Sequence, residues 1–381
     1  MKKKDDKTVM RQTLLDYKRL EVKYIEQADE EILTLLENTV QGSEGGIRYS
    51  IRNVRMQMDF YGKGLSFIAL YKRNSLTGVI GLCRRTTLCS GTGINSTFLR
   101  YLAVRSSFQV SGATARRSER ISNIEESFKQ RLFSMFSNPN YNPDGKDYSS
   151  EPHVMYAYVE SFNKRSINFI QQAGYEYLRS FLTLAFSRFN PSLNPDVSRL
   201  TPAEEPAMAE LLAGNYRNYC FYTDEFTFMN NQYFVLRKNN EIVAGVSAIP
   251  TFYKIIEVPG MLGWIMLNVL PGIPYLRRLF RHGEFRFLVL GSVYYRKECI
   301  SLLPELFEAV CACENHNNAL LWIDNHSELY EYLRTNRRMG TLNRILKSKH
   351  GLIYASFTNI NAEEKMKFSE NPAFFTGFDF A

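Results

Sequence analysis

The segment Asn190-Pro191-Ser192-Leu193-Asn194-Pro195 divides this chain, because two prolines and two asparagines can continue neither a helix nor a strand. The same order of elements is written on both sides of it. In the first half, Leu20 to Ile25 alternates as a strand, and Glu30 to Val40 places Ile32, Leu33, Leu35, Leu36 and Val40 at helical spacing. Leu65 to Tyr71 and Thr77 to Cys83 read as a hairpin. A strand at Phe98 to Val104, a helix over 112–136, a strand at His153 to Val159, a helix at Lys164 to Gln172 and a strand at Glu176 to Phe189 follow. The second half replays this: strand Val197 to Thr201, helix Glu204 to Leu212, hairpin Gln232 to Arg237 with Glu241 to Ile249, strand Phe285 to Val293, helix Leu302 to Cys313, strand Ala319 to Ile323, helix Glu328 to Arg334 and strand Gly351 to Phe357. Such an order predicts an α/β (α+β) fold with mixed sheets. The expected organisation is a polar tail over 1–19 and two domains, 20–190 and 196–381, each with its own sheet.

Composition fits two cores. The chain has 381 residues, 45% of them hydrophobic, which is more than one ordinary domain needs. A net charge of +8 suits nucleic acid, an anionic membrane or a polyanionic cofactor alike. The Lys and Arg are spread along the chain rather than gathered in a stripe, so no nucleic-acid partner is expected. Six cysteines show no CxxC spacing and no histidines placed to complete a zinc site, so no metal is expected. The N-terminal residues lack an apolar secretory segment, which points to a cytoplasmic protein with reduced cysteines. Pro259 to Leu276 is apolar, carries Trp264 and is followed by Arg277, Arg278, Arg281 and His282. It reads as a buried helix with a loop; the alternative is membrane-surface contact through 259–282.

Chemistry concentrates in Leu102-Ala103-Val104-Arg105-Ser106-Ser107-Phe108-Gln109-Val110-Ser111-Gly112-Ala113-Thr114-Ala115, a strand running through small residues into a helix. Small side chains let the backbone approach a pyrophosphate, and a helix N-terminus offers unpaired N–H groups. Here the sequence resembles the GNAT superfamily of acyl-CoA-dependent N-acyltransferases, in a tandem two-domain form. Gln109, Gly112 and Thr114 fall on the marked positions of that family's central loop, with Val104 ending the strand before it. Asn163, Ser166, Phe169, Gly174 and Tyr175 resemble its downstream helix motif. The resemblance implies a CoA site made by Leu102, Ala103, Val104, Gln109, Val110, Ser111, Gly112, Ala113, Thr114, Asn163, Ser166 and Phe169.

Departures from the family pattern concern catalysis. Ile170 stands where many members carry a tyrosine that protonates the departing thiolate, and no carboxylate lies on the central strand. Tyr101, Tyr158 and Glu160 are the nearby candidates. In the second half, Asp324-Asn325-His326-Ser327 echoes the Asn-x-x-Ser arrangement, but the stretch after Val293 lacks a cradle glycine. The implied function is transfer of an acyl group, acetyl first, from acyl-CoA to an amine by direct attack on the thioester. The alternatives are a non-catalytic CoA-binding scaffold and a long-chain acyl or aminoacyl transferase. Gly112→Glu is expected to abolish CoA binding, and Gly291→Glu to leave it unchanged.

Overall fold

A computed structural model describes residues 11–42, 48–51, 54–105, 130–136, 150–258, 260–269, 272–273, 284–345 and 350–380. Its strands lie in one 14-stranded sheet. The first half supplies β1 (Arg11–Tyr17), β2 (Leu20–Ile25), β3 (Arg48–Ile51), β4 (Leu65–Lys72), β5 (Ser75–Cys89), β6 (Thr92–Val104), β7 (His153–Glu160) and β8 (Glu176–Ser187). The second supplies β9 (Val197–Arg199), β10 (Tyr233–Lys238), β11 (Glu241–Glu257), β12 (Glu284–Tyr295), β13 (Asn318–Asp324) and β14 (Gly351–Thr358). The order across the sheet is β1-β2-β4-β5-β6-β7-β14-β8-β13-β12-β11-β10-β9, with β3 paired to β11.

The expectation of two separate sheets fails at the centre of this order. β14, the last strand of the second half, pairs antiparallel with β7, and β8, the last strand of the first, pairs antiparallel with β13. The two exchanged strands also pair with one another. Each half therefore ends in the other, and the Asn190 to Pro195 connection is a crossing rather than a break between sheets. Two smaller expectations also fail. Part of the polar tail is the edge strand β1, in register with β2 from Arg11↔Ile25 to Tyr17↔Leu20. The segment after β11 forms only a short helix, Gly260–Asn268, and Trp264 on it is 60% exposed rather than buried.

Both halves repeat one local device. β6 and β7 run parallel and pair only from Asn95↔His153 to Leu99↔Ala157. β12 and β13 run parallel and pair only from Leu288↔Ala319 to Leu290↔Leu321. Beyond those points the strands of each pair continue without pairing to each other. Just past each divergence the antiparallel neighbour slips register, between Val79 and Gly81 in one half and between Gly245 and Ser247 in the other. The bulged residues, Tyr101 and Ser292, take φ of 59° and 45°. A left-handed conformation costs a residue with a Cβ about 1 kcal/mol, and it bends the strand away from its partner. The two halves are thus superposable at Arg100-Tyr101 and Gly291-Ser292.

Several buried clusters pack on the sheet, the two largest centred one in each half. Phe67, Phe98 and Tyr156 belong to the first, which also takes Cys220, Phe221, Phe375 and Phe378 from the second half of the chain. Leu288, Leu306, Phe307 and Val310 belong to the second. Cys89 and Cys220, expected to be reduced, form a disulfide that ties β5 to the second half.

His153 opens β7 and is buried, with Nε2 3.0 Å from the Thr97 hydroxyl. Burial, reinforced by Arg84, pushes its pKa down from 6.5 to about 4. The folded protein thus favours the neutral ring. Its contribution is complete above pH 6.5 and is lost as pH falls toward 4. We expect acidification across that window to cost about 3 kcal/mol through this residue. Denaturant titrations of wild type and His153→Gln at several pH values check this: the variant's stability should change less between neutral pH and pH 4.

Candidate active site

Past Leu99↔Ala157 the segment Arg100 to Val104 of β6 no longer pairs with β7. Its outer edge stays on β5, with Val79↔Ala103 and Gly78↔Val104 in register. Where two parallel strands part, the peptide N–H and C=O groups along the divergence face the space between them. Of the sequence-derived residues here, Ala103 is buried, Val104 half-buried and Leu102 39% exposed. Gln109, Val110, Ser111, Gly112, Ala113 and Thr114 lie outside the described residues.

Across the gap, β7 ends in Tyr158 and Glu160, and the helix Lys164–Gln172 follows. Asn163 caps that helix, its Oδ1 accepting the Ser166 N–H at 3.0 Å. Asn at this position satisfies one of the orphan amides of the first turn. Ser166 and Phe169 are half-buried, whereas Ile170 is buried beneath the helix. We expect Asn163→Ala to lower stability by about 1 kcal/mol in thermal or denaturant melts without any ligand. An unchanged melt would remove the capping role.

Neither candidate phenol is an effective base at neutral pH. Burial pushes both Tyr101 and Tyr158 above the ordinary tyrosine range, against an opposing pull from Arg100 on each and from Arg85 on Tyr158. Both stay protonated and can donate. Tyr101 donates to Gln57 Oε1 at 2.9 Å, on the helix Val54–Tyr61. Gln57 is buried, and its Nε2 has no hydrogen-bond partner among the described residues. A desolvated donor beside the bulge is costly unless something satisfies it. Glu160 is exposed at the end of β7, opposite Gly351 on β14.

Pattern reading missed the C-terminal residues that cross this gap. Arg100 Nη1 donates to Tyr61 Oη at 2.7 Å and to the Phe378 carbonyl at 3.0 Å. Arg85 Nη2 lies 2.9 and 3.0 Å from the two carboxylate oxygens of Asp379, and both side chains are almost wholly buried. Burial alone would lower the Arg85 pKa; the Asp379 carboxylate reverses this and holds it well above the ordinary value. Phe380 stacks on Tyr158 at 5.4 Å and on Trp322 at 4.3 Å. Those two rings occupy equivalent places, each one residue past the end of a parallel pairing. No sequence motif marks the tail, because its contacts lie hundreds of residues away in the chain.

The second divergence is built differently inside. Ser292, Val293, Trp322 and Ile323 line a recess that Ala373, Phe374 and Phe375 fill from one side. Ala373 bridges to Cys220, with Phe374 N–H bonded to the Cys220 carbonyl at 2.8 Å. Gly291 packs against the Gly377 backbone, so a Cβ there would meet Gly377 N at 2.5 Å. Gly291→Glu is therefore not the neutral control that the sequence suggests; it would disrupt the packing of the tail. Ser327 caps the helix Glu328–Thr335 as Asn163 caps its counterpart. Asp324 accepts from Arg179 Nε at 2.7 Å and from Ala373 N–H at 2.9 Å.

No protein-family model matches the chain, and no curated protein matches its sequence. Solved structures do resemble it. The structure of Saccharomyces cerevisiae N-myristoyltransferase with bound myristoyl-CoA aligns with 96% of this chain and 90% of its own, at 11% identity and a TM-score of 0.54. The same yeast enzyme with myristoyl-CoA and inhibitors covers 94% of this chain and 90% of its own, at 10% identity and a TM-score of 0.53. A GCN5-related N-acetyltransferase from Anabaena variabilis aligns with 87% of this chain and 72% of its own, at 9% identity and a TM-score of 0.45. The chain shares its fold with the yeast N-myristoyltransferase, and the likeness runs through both halves of it.

Proposed function

From a fold shared with acyl-CoA-dependent N-acyltransferases, we propose that this protein moves an acyl group from CoA to an amine at the first strand divergence. The carrying observation is the parting of β6 from β7 after Leu99↔Ala157, with the bulge at Tyr101 just beyond it. Acyl-CoA supplies a thioester, an electrophile that an amine attacks directly. Peptide groups of Leu102, Ala103 and Val104 are assigned to the pantetheine arm and the thioester carbonyl, whose developing negative charge they would stabilise. Gln57 Nε2 is a further buried donor for an oxygen placed there. The pyrophosphate falls to Gln109 through Thr114, with Gly112 at the position of closest approach.

Asn163 and Ser166 are taken up in the helix cap, so their part in the site is to place the helix beside the gap. Tyr158, kept protonated, is a donor for the carbonyl or the departing thiolate rather than a base, while Tyr101 donates its hydrogen bond to Gln57 and orients that amide. Glu160, at the solvent end of β7, is the carboxylate we assign to receiving the amine's proton, directly or through water. The division of labour we propose is between 20–190, which holds CoA, and 196–381, which sends its tail across the gap and covers the far edge of β7 with β14. The protein is proposed to work in the cytoplasm, with acetyl-CoA as the first donor to try.

A second reading has its own support: the two yeast N-myristoyltransferase structures with bound myristoyl-CoA, a long-chain donor, align with TM-scores above 0.5. Native mass spectrometry of protein taken from cells tests both at once. A bound acyl-CoA reports the chain length by its mass; persistent binding of free CoA with no turnover of any acyl-CoA would favour a scaffold.

A further inference from the structure

β5 and β6 meet in the two-residue turn Ser90-Gly91, with Cys89↔Thr92 as the last pair, and Gly91 and Thr92 are exposed. At the foot of this turn Cys89 is bonded through sulfur to Cys220. Three stretches of chain meet there. The loop after the helix Glu205–Asn215 lies along the end of β5: Leu88 and Tyr222 exchange both N–H···O bonds, at 2.7 and 3.1 Å, and the Ser90 N–H reaches the Tyr219 carbonyl at 3.1 Å. The C-terminal tail lies on Cys220, whose N–H donates to the Pro372 carbonyl at 2.9 Å and whose carbonyl accepts from Phe374 at 2.8 Å. Asn371 Nδ2 donates to Ser90 Oγ at 2.8 Å. Cys220 is therefore the root of the tail. A few residues on, the same tail crosses the first divergence, with the Phe378 carbonyl on Arg100 and Asp379 on Arg85. The other four cysteines are free thiols.

We propose that Cys89 and Cys220 form a thiol–disulfide switch that sets how firmly the tail is held across the first divergence. In the cytoplasm proposed for this protein, reduced thiols are the resting state, and a disulfide is a conditional bond rather than a permanent staple. Oxidation by a low-molecular-weight disulfide such as oxidised glutathione joins the two sulfurs. Each protein thiol gives up a proton and an electron, and the reagent takes them up as it leaves as two thiols. Reduction runs the same exchange backwards, and the exposed turn is the route by which a small thiol reaches the buried sulfurs. With the bond made, the loop and the tail root are tied covalently to β5 across 131 residues of sequence. Without it, hydrogen bonds to Leu88 and Ser90 and apolar packing hold them there. The switch is visible without any acyl transfer, so its failure would leave the acyltransferase reading standing.

Thiol counting and hydrogen exchange on the full chain, equilibrated in reduced and in oxidised glutathione, test it. After an acid quench and unfolding, alkylation is expected to label all six cysteines from the reduced buffer and four from the oxidised one. The amides from Phe374 to Phe380 are expected to exchange at least about tenfold faster in the reduced protein. Cys89→Ala and Cys220→Ala should show the fast exchange in both buffers, and the wild type alone gives the comparison if either variant fails to fold. A pair that stays bonded in excess reduced glutathione, or that never bonds in the oxidised form, would overturn the proposal. So would tail exchange that is the same in both buffers.

Discussion

Replacing Arg85 with methionine is expected to destabilise the protein by about 3–5 kcal/mol, because it strands a buried carboxylate. Asp379 has its two oxygens on the Arg85 guanidinium and almost no contact with water. The guanidinium also lies over the Phe98 and Tyr156 rings, 5.1 and 5.8 Å from their centroids, so methionine keeps part of the packing while removing the charge. Asp379→Leu alone should cost a similar amount by stranding the arginine. The pair Arg85→Met/Asp379→Leu should recover most of the loss, since a buried ion pair often gains little over apolar residues of like volume. Denaturant unfolding of the four proteins reads this as a double-mutant cycle. Single variants within about 0.5 kcal/mol of wild type would mean that the tail is not held where Phe378, Asp379 and Phe380 are placed.

The second large effect concerns the two halves expressed apart. A chain ending at Pro195 contains β8 but lacks β14, the strand between β7 and β8. It exposes open edges on both, and it leaves Tyr156 without Phe221 and Phe181 without Phe375 and Phe380. Open apolar strand edges promote aggregation. We expect 1–195 and 196–381 to be insoluble or unfolded singly and to form a tight one-to-one complex when produced together, each donating its last strand. A soluble 1–195 that unfolds cooperatively by itself would show that the exchange is dispensable.

Local order was written plainly in the sequence, and distant pairing was not. The helix Lys164–Gln172 has its start and end in the sequence because Asn163 caps it and Gly174, at φ 84°, ends it. The hairpins of β4 with β5 and β10 with β11 were legible from alternation and their short turns. β1 was not, since Arg11–Tyr17 is a charged, exposed edge with little apolar rhythm. The exchange of β8 and β14 leaves no mark on either strand, because a strand buried on both faces reads the same whichever neighbours it takes. Positive φ is usually announced by glycine; here Tyr101 and Ser292 adopt it, so both bulges were invisible. The disulfide joins cysteines 131 residues apart, with no spacing rule to pair them.

The candidate site divides in the same way. Leu102 to Val104 as the end of a strand and Asn163 as a helix cap follow from local pattern. Gln57, Arg85 and Arg100 come to the site through tertiary packing alone, and Asp379 with Phe380 through the returning tail.

The most direct test is calorimetric titration of the intact protein with acetyl-CoA, myristoyl-CoA and CoA, beside Gly112→Glu. We expect one acyl-CoA per chain in the wild type, and at least about a hundredfold weaker binding in the variant, with its melting temperature retained. An intact protein that binds none of the three, or a Gly112→Glu protein that binds as tightly as wild type, would contradict an acyl-CoA site at the first divergence.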